Sequence, residues 1–325
     1  MLRHILNLIM PINLAFLGCG FATRLHSKTL KNFKREVNCL YASRDWHKAV
    51  AFNTEFNGSG AFASYEAAIN DAKIDAVLVA TPPASHLALT LQALRAGKNV
   101  IVEKPPFLHA ADFEIIHQAQ NETGRRVFVA ENYFYKPLAL RLRELIMNEV
   151  IGEILFVHVN AIKLQKAGDW RDDTQLSGGG ALFEGGIHWI NLTANLGLPI
   201  RSVRGLCPGK RHDAEKSMLV AIDYENGAVG TLSYSWEVPV LLQGVHLSQL
   251  YGRKGVITFE SNGIFILVNG VRKKIIFPGL GDIAGYKGMF RDFLRALQTG
   301  EQPAMNLAAA QKDLQHIENI YQSIQ

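Results

Sequence analysis

Ile12-Asn13-Leu14-Ala15-Phe16-Leu17-Gly18-Cys19-Gly20-Phe21-Ala22-Thr23 is the stretch that decides the fold. A short, mostly apolar run closed by a glycine reads as a buried parallel strand. Gly18-Cys19-Gly20 then turns the chain, and a helix is expected from Phe21 to about Asn32. Glycines at such a turn let the backbone approach a pyrophosphate, and the helix N-terminus faces the negative charge. The third position of the usual pattern holds Thr23 in place of Gly or Ala. Gly18, Gly20, Phe21 and Ala22 are therefore expected to cradle a dinucleotide.

Outward from this turn, strand and helix alternate. Val37–Ala42 reads as the second strand, Asp75–Ala80 as the fourth, Asn99–Val102 as the fifth and Arg126–Ala130 as the sixth. Asp45 and Ser64 are placed to cap helices, and further helices are expected near Ser85–Ala96 and Ala110–Thr123. Strands separated by crossover helices make a doubly wound parallel sheet, a Rossmann architecture. After Tyr133 the pattern changes. Turn signals such as Glu225-Asn226-Gly227 and Asn269-Gly270 separate strand-like runs between Ser202 and Ile276, as hairpins do. The expected fold is α/β, with a parallel sheet followed by an α/β domain whose open sheet is mostly antiparallel. The boundary is placed at residue 131, giving a dinucleotide-binding domain over 1–131 and a substrate and oligomerisation domain over 132–325.

Composition excludes several classes. Apolar residues make up 48% of the 325 and charged residues 19%, enough for two cores and too little charge for disorder. The net charge of +5 is scattered along the chain. The densest basic cluster, Arg272-Lys273-Lys274, is too short for a nucleic-acid surface. No run reaches the length of a membrane span, and the apolar stretch Met1–Met10 reads as an extra N-terminal turn. Three cysteines, Cys19, Cys39 and Cys207, fit neither a disulfide framework nor a zinc site, so a reducing, cytoplasmic compartment is expected.

Candidate site residues sit where strands end. After the second strand come Ser43 and Arg44; an arginine there pairs with a ribose 2′-phosphate, so NADP(H) is favoured, with NAD(H) as the alternative. Thr81-Pro82-Pro83, with His86 after it, closes the fourth strand. Glu103-Lys104-Pro105 closes the fifth. Both turns lie at the carboxyl edge of the parallel sheet, where ligands bind in such folds.

These motifs, together with Gly178-Gly179-Gly180-x-Leu182-x-Glu184-x-Gly186-x-His188, resemble the glucose–fructose oxidoreductase/inositol dehydrogenase/rhizopine catabolism (Gfo/Idh/MocA) family over nearly the whole chain. Tyr251-Gly252-Arg253-Lys254-Gly255 and Phe290-Arg291-Asp292-Phe293 extend the likeness. The resemblance implies Lys104 and His188 as catalytic residues, Glu103 and Lys104 beside the cofactor, and a homodimer or homotetramer formed through the antiparallel sheet. It also points to Trp170, Arg171 and Tyr133 as substrate contacts. The sequence departs from the family pattern at Glu184, usually aspartate, and at Asn191, often acidic.

The chemistry agrees. Oxidising a secondary alcohol needs a base within hydrogen-bond reach of the hydroxyl, and histidine's ordinary near-neutral pKa suits that task. A lysine can donate to the same oxygen. Glu184, four residues before His188, is expected either to orient the imidazole or, with Asn191, to bind substrate hydroxyls. A Glu/His pair without a third partner of matching spacing is not read as a metal site. The substrate expected is a sugar, polyol or related small molecule. Two other readings are weighed: a cofactor-retaining glycosidase, which uses the same lysine and histidine plus an extra base, and a non-catalytic nucleotide-binding regulator, which would be expected to lack Lys104 or His188, both present here.

Overall fold

A computed structural model describes residues 10–165, 168, 173–209, 214–240 and 245–324. Strands β1 (Ile12–Leu17), β2 (Val37–Ala42), β3 (Gly60–Phe62), β4 (Ala76–Val79), β5 (Asn99–Val102) and β6 (Val127–Val129) form a parallel sheet in the order β3-β2-β1-β4-β5-β6. Between them run α1 (Phe21–Leu30), α2 (Trp46–Phe56), α3 (Tyr65–Asn70), α4 (His86–Arg95) and α5 (Asp112–Thr123). The strands are apolar because helices cover both faces: Leu14, Phe16, Val77, Val79, Ile101 and Phe128 are all buried. Each such side chain contributes about 1.5–3 kcal/mol by leaving water. Asp45 caps α2 through the backbone N–H of His47, and Ser64 caps α3 through that of Ala67. The strand order reverses between β1 and β4, which opens a crevice at the carboxyl ends of the strands.

After α6 (Pro137–Met147) the chain enters β7 (Ile154–Ile162), then α7 (Thr174–Ser177) and α8 (Ile187–Ala194). Strands β8 (Ile200–Leu206), β9 (Ser217–Tyr224), β10 (Val229–Ser235), β11 (Leu247–Gly252), β12 (Gly255–Glu260), β13 (Ile266–Asn269) and β14 (Lys273–Ile276) complete a second sheet. Its order is β14-β13-β12-β11-β7-β10-β9-β8, antiparallel except where β7 meets β10. Strand alternation gives it two unlike faces. Val157, Val159 and Ala161 point inward and are buried, while Phe156 and His158 point outward and are exposed. Leu247, Leu267 and Ile275 are exposed as well.

Two last helices, α9 (Tyr286–Thr299) and α10 (Leu307–Ser323), return toward the first sheet. Phe293 of α9 packs on Phe128 of β6, and Phe290 meets His26 of α1 edge-on. Glu318 of α10 accepts from the N–H of Ala110. The two sheets are therefore tied together beside the crevice. Among the described residues, no helix is long and apolar enough to cross a membrane.

Candidate active site

The glycine loop is shaped by close approach. Gly18 has a φ of +111°, and a Cβ there would lie 2.7 Å from the carbonyl oxygen of Ala80, so only glycine suits the position. Thr23 fits the third position because its buried hydroxyl turns back to the Gly18 carbonyl at 2.6 Å. Gly20 has no heavy atom within 4 Å of its would-be Cβ, and no side chain caps α1 there. The first N–H groups of the helix are thus left without intrahelical partners beside open space, a donor set that suits a phosphate. Burial pushes the Cys19 thiol up to about 11, which makes it a poor nucleophile.

At the end of β2, Ser43 is buried and its hydroxyl accepts from Asp45 N. Arg44 is exposed, and its guanidinium faces the Tyr65 hydroxyl. Thr81 is held by Ser85, whose hydroxyl donates to Thr81 Oγ1 at 2.7 Å. His86 has a different place from the one expected. It is fully buried, with Nδ1 2.9 Å from the Pro105 carbonyl and Nε2 2.8 Å from the Thr81 carbonyl. Both ring nitrogens are engaged with backbone, so His86 joins the two strand-end turns and offers the cofactor nothing. Burial holds its pKa down.

Glu103 is paired with His26 of α1. Burial works to raise the Glu103 carboxyl; the charge and hydrogen bond of His26, aided by Lys104 and His188, outweigh it and hold the carboxyl below the usual range. Lys104 reaches across to the second domain. Its Nζ donates to the Glu184 carbonyl at 2.8 Å and lies 3.7 Å from Glu184 Oε1.

Gly178-Gly179-Gly180 leads into a π turn, Leu182–Gly186, directly before α8. Glu215 braces its start, accepting from Leu182 N at 2.7 Å and from the Tyr321 hydroxyl at 3.0 Å. A Cβ on Gly180 would collide with that carboxylate, and one on Gly185 would meet the Tyr234 hydroxyl at 2.3 Å. The wider π turn breaks the one-turn relation expected of Glu184 and His188. Glu184 turns to Lys104, and the residue that orients the imidazole is Glu131, at the end of β6. His188 Nδ1 lies 2.7 and 2.9 Å from the two Glu131 oxygens. That bond places the ring lone pair on Nε2, which has no protein partner among the described residues.

Tyr133 stacks on His188, with centroids 4.4 Å apart and planes 12° apart, and meets Trp189 edge-on. Asn191 lies elsewhere than expected. It is fully buried and donates to Asp313 Oδ2 at 2.6 Å, because α10 covers that side of α8. It is a core contact out of a substrate's reach. Trp170 and Arg171 lie outside the described residues.

Three site residues escape a reading of the sequence: Glu131, Lys136 and Lys163. Lys163 continues the inward series Val157-Val159-Ala161, so a lysine stands where another apolar residue would complete the alternation. Burial lowers its ammonium; Glu184 opposes that effect and Lys104 adds to it. That break in alternation was visible in the sequence. For Glu131, the only signal was an acidic residue at the carboxyl edge of a parallel strand.

The chain is similar to known proteins in both of its halves. Residues 12–131 match a profile described as an oxidoreductase family with an NAD-binding Rossmann fold. Residues 139–258 match the GFO/IDH/MocA C-terminal domain. Oxidoreductase P35 of Formosa agariphila is 26% identical, over 80% of this chain and 83% of that protein. A D-xylose 1-dehydrogenase (NADP(+)) of Haloferax volcanii is 26% identical, over 87% of this chain and 88% of that one. The structure of a levoglucosan dehydrogenase with NADH and levoglucosan superposes with a TM-score of 0.85 at 20% identity, covering 96% of this chain and 97% of that chain, a likeness of fold.

Proposed function

Because this chain belongs to the Gfo/Idh/MocA oxidoreductase family, we propose that it moves a hydride between a nicotinamide cofactor and the secondary alcohol or ketone carbon of a sugar, polyol or sugar derivative. The observation that carries this reading is the arrangement of His188. Its Nδ1 is fixed by Glu131, its Nε2 is left to face a ligand, and the Lys104 ammonium is anchored on the turn that precedes it. The substrate class follows the named activity of the Haloferax relative.

When bound, the nicotinamide supplies the acceptor or donor of hydride. The loop of Gly18, Gly20, Phe21 and Ala22 would hold the pyrophosphate, and Thr81, Glu103 and Lys104 would border the reacting end. In oxidation, Nε2 of His188 takes the hydroxyl proton as the C–H bond is lost, and the positive imidazolium is balanced by Glu131. Lys104 donates a hydrogen bond to the substrate oxygen and stabilises its developing charge. Reduction reverses each step, with His188 as the acid. Tyr133, Lys163 and Glu184 would position the remaining hydroxyls. NADP(H) is favoured, because the exposed Arg44, held near the Tyr65 hydroxyl, follows Ser43 at the end of β2, where a 2′-phosphate would lie. The exposed apolar face of the second sheet supports pairing with a further copy of the chain; a solution mass equal to one chain would remove that part of the reading.

The test joins binding and turnover. NADPH and NADH are titrated by fluorescence into wild type and Arg44→Ala, then sugars and polyols are screened for net cofactor turnover. Tighter NADPH binding, lost in Arg44→Ala, is expected. Lys104→Ala and His188→Ala should each lower kcat by about 10²–10⁴-fold with nucleotide binding intact. Substrate cleavage without net turnover would favour a glycosidase instead, and full activity in His188→Ala would end the proton-transfer assignment.

A further inference from the structure

Lys136 is buried, with its Nζ 4.1 Å from the centroid of the Tyr133 ring. The His188 imidazole lies nearly parallel to the same ring. A stacked ring fills one face of Tyr133, so the ammonium must occupy the other. The result is a three-layer stack of ammonium, phenol and imidazole, whose last member is the proton acceptor of the proposed reaction.

We propose that Lys136 is a positioning residue of the proton-transfer site, clamping Tyr133 from behind and biasing His188 toward the neutral imidazole that can accept a proton. The proposal rests on His188 being that acceptor. Two physical effects act in the same direction. A cation on one face of an aromatic ring draws its electron density and weakens the ring's attraction for a second cation on the other face. Lys136 also faces Glu131, so it offsets part of the negative charge that lies against the imidazole.

The surrounding charges are consistent with a lysine that is ionised at neutral pH. Burial pushes Lys136 down to about 8, opposed by Glu260 and Glu131. Glu260 is fully buried and anchored by the N–H groups of Gly263 and Ile264, so its place beside Lys136 is fixed. Among the described residues, Glu103 after β5 faces His188, Tyr234 of β10 and Tyr286 of α9 face Tyr133, and Asp313 of α10 lies behind Glu131, with Lys104 beside Glu103 and Glu184 of the π turn beside Lys104. The Tyr133 ring lies between the ammonium and the imidazole.

The experiment is an imidazole NMR titration of the full-length protein, with His188 assigned from the His188→Gln spectrum. Lys136→Met should raise the His188 midpoint by roughly half a unit to one unit, the effect of a unit charge at this range in a partly buried site. Lys136→Arg should leave it near the wild-type value. Lys136→Gln keeps a polar side chain of similar length beside Glu131 and Glu260 and serves as the second neutral variant if Lys136→Met melts too low. A folded neutral variant with an unchanged or lowered midpoint would overturn the proposal. Once a substrate is known, the acid limb of kcat/KM should move with the midpoint. If His188→Gln keeps full turnover, the acceptor role fails on its own, and the titration result stands apart from it.

Discussion

At the glycine loop, Gly18 and Gly20 present no side chains, and the donors on offer are backbone N–H groups at the open end of α1. Around His188, the chain instead crowds Glu103, Lys104, Glu131, Lys136, Lys163, Glu184 and Glu260, drawn from both sheets. Backbone donors have no protonation state and respond to shape alone. Buried ionisable groups hold one another in balance, so a change at one is felt by its neighbours. The two ends of the crevice should therefore fail in different ways when altered.

The largest expected effect tests the charged end. Glu131→Gln keeps the size of the side chain but removes the carboxylate that fixes His188 Nδ1. The expected result is a fall in kcat of roughly 10²–10³-fold, from an imidazole free to take the wrong tautomer. NADPH affinity measured on the same sample should be unchanged. Wild-type kcat in this variant would show that His188 is oriented by something other than Glu131.

A smaller effect is expected at the glycine loop. Gly18→Ala brings a Cβ to within 2.7 Å of a backbone oxygen at a positive φ, and neither can yield cheaply. The loop must shift, so NADPH should bind about tenfold more weakly and the protein should lose about 1–3 kcal/mol of stability. The His188 NMR titration should not move. A moved titration with intact nucleotide binding would dissolve the contrast between the two ends.

How much of this was legible in the sequence follows the same divide. The glycine loop lies within six residues, Gly18 to Thr23, so its turn and helix could be read from local pattern. Even the odd Thr23 has a local explanation, since its partner is Gly18. The reaction end is assembled from residues far apart in sequence. Glu131 and His188 are separated by the whole of β7 and the glycine run, and no spacing rule links them. The i, i+4 relation assumed between Glu184 and His188 belongs to an α-helix, and the π turn replaces it. Asn191 and His86 were placed in the site by pattern, but α10 and the Pro105 turn bury them. Lys136 matters only once two sheets meet, which a linear reading does not reveal, whereas Lys163 is marked by a break in the alternation of β7.

The smallest expected effect concerns a charge that the fold suppresses. Asp313 lies fully buried behind Glu131, and burial, reinforced by the Glu131 charge, raises its carboxyl well above the ordinary aspartate value of 3.8. The native state thus keeps its proton at Asp313 to higher pH than the unfolded chain does. Stability from this group is fully present below pH 3.8 and falls as pH rises toward the folded value. Asn191 Oδ1, beside it, is buried without a hydrogen-bond partner. Asp313→Asn can still accept from Asn191 Nδ2, can donate to Oδ1 and carries no ionisation cost. It should raise stability at pH 7 by about 1–2 kcal/mol, with the gain shrinking as pH falls toward 4. Urea unfolding of both proteins across that range measures the difference. A variant that is less stable at pH 7 would mean that Asp313 is ionised in the folded protein. Glu131 would then share its negative charge with a second carboxylate, and the balance assigned to Lys136 and His188 would need a further cation.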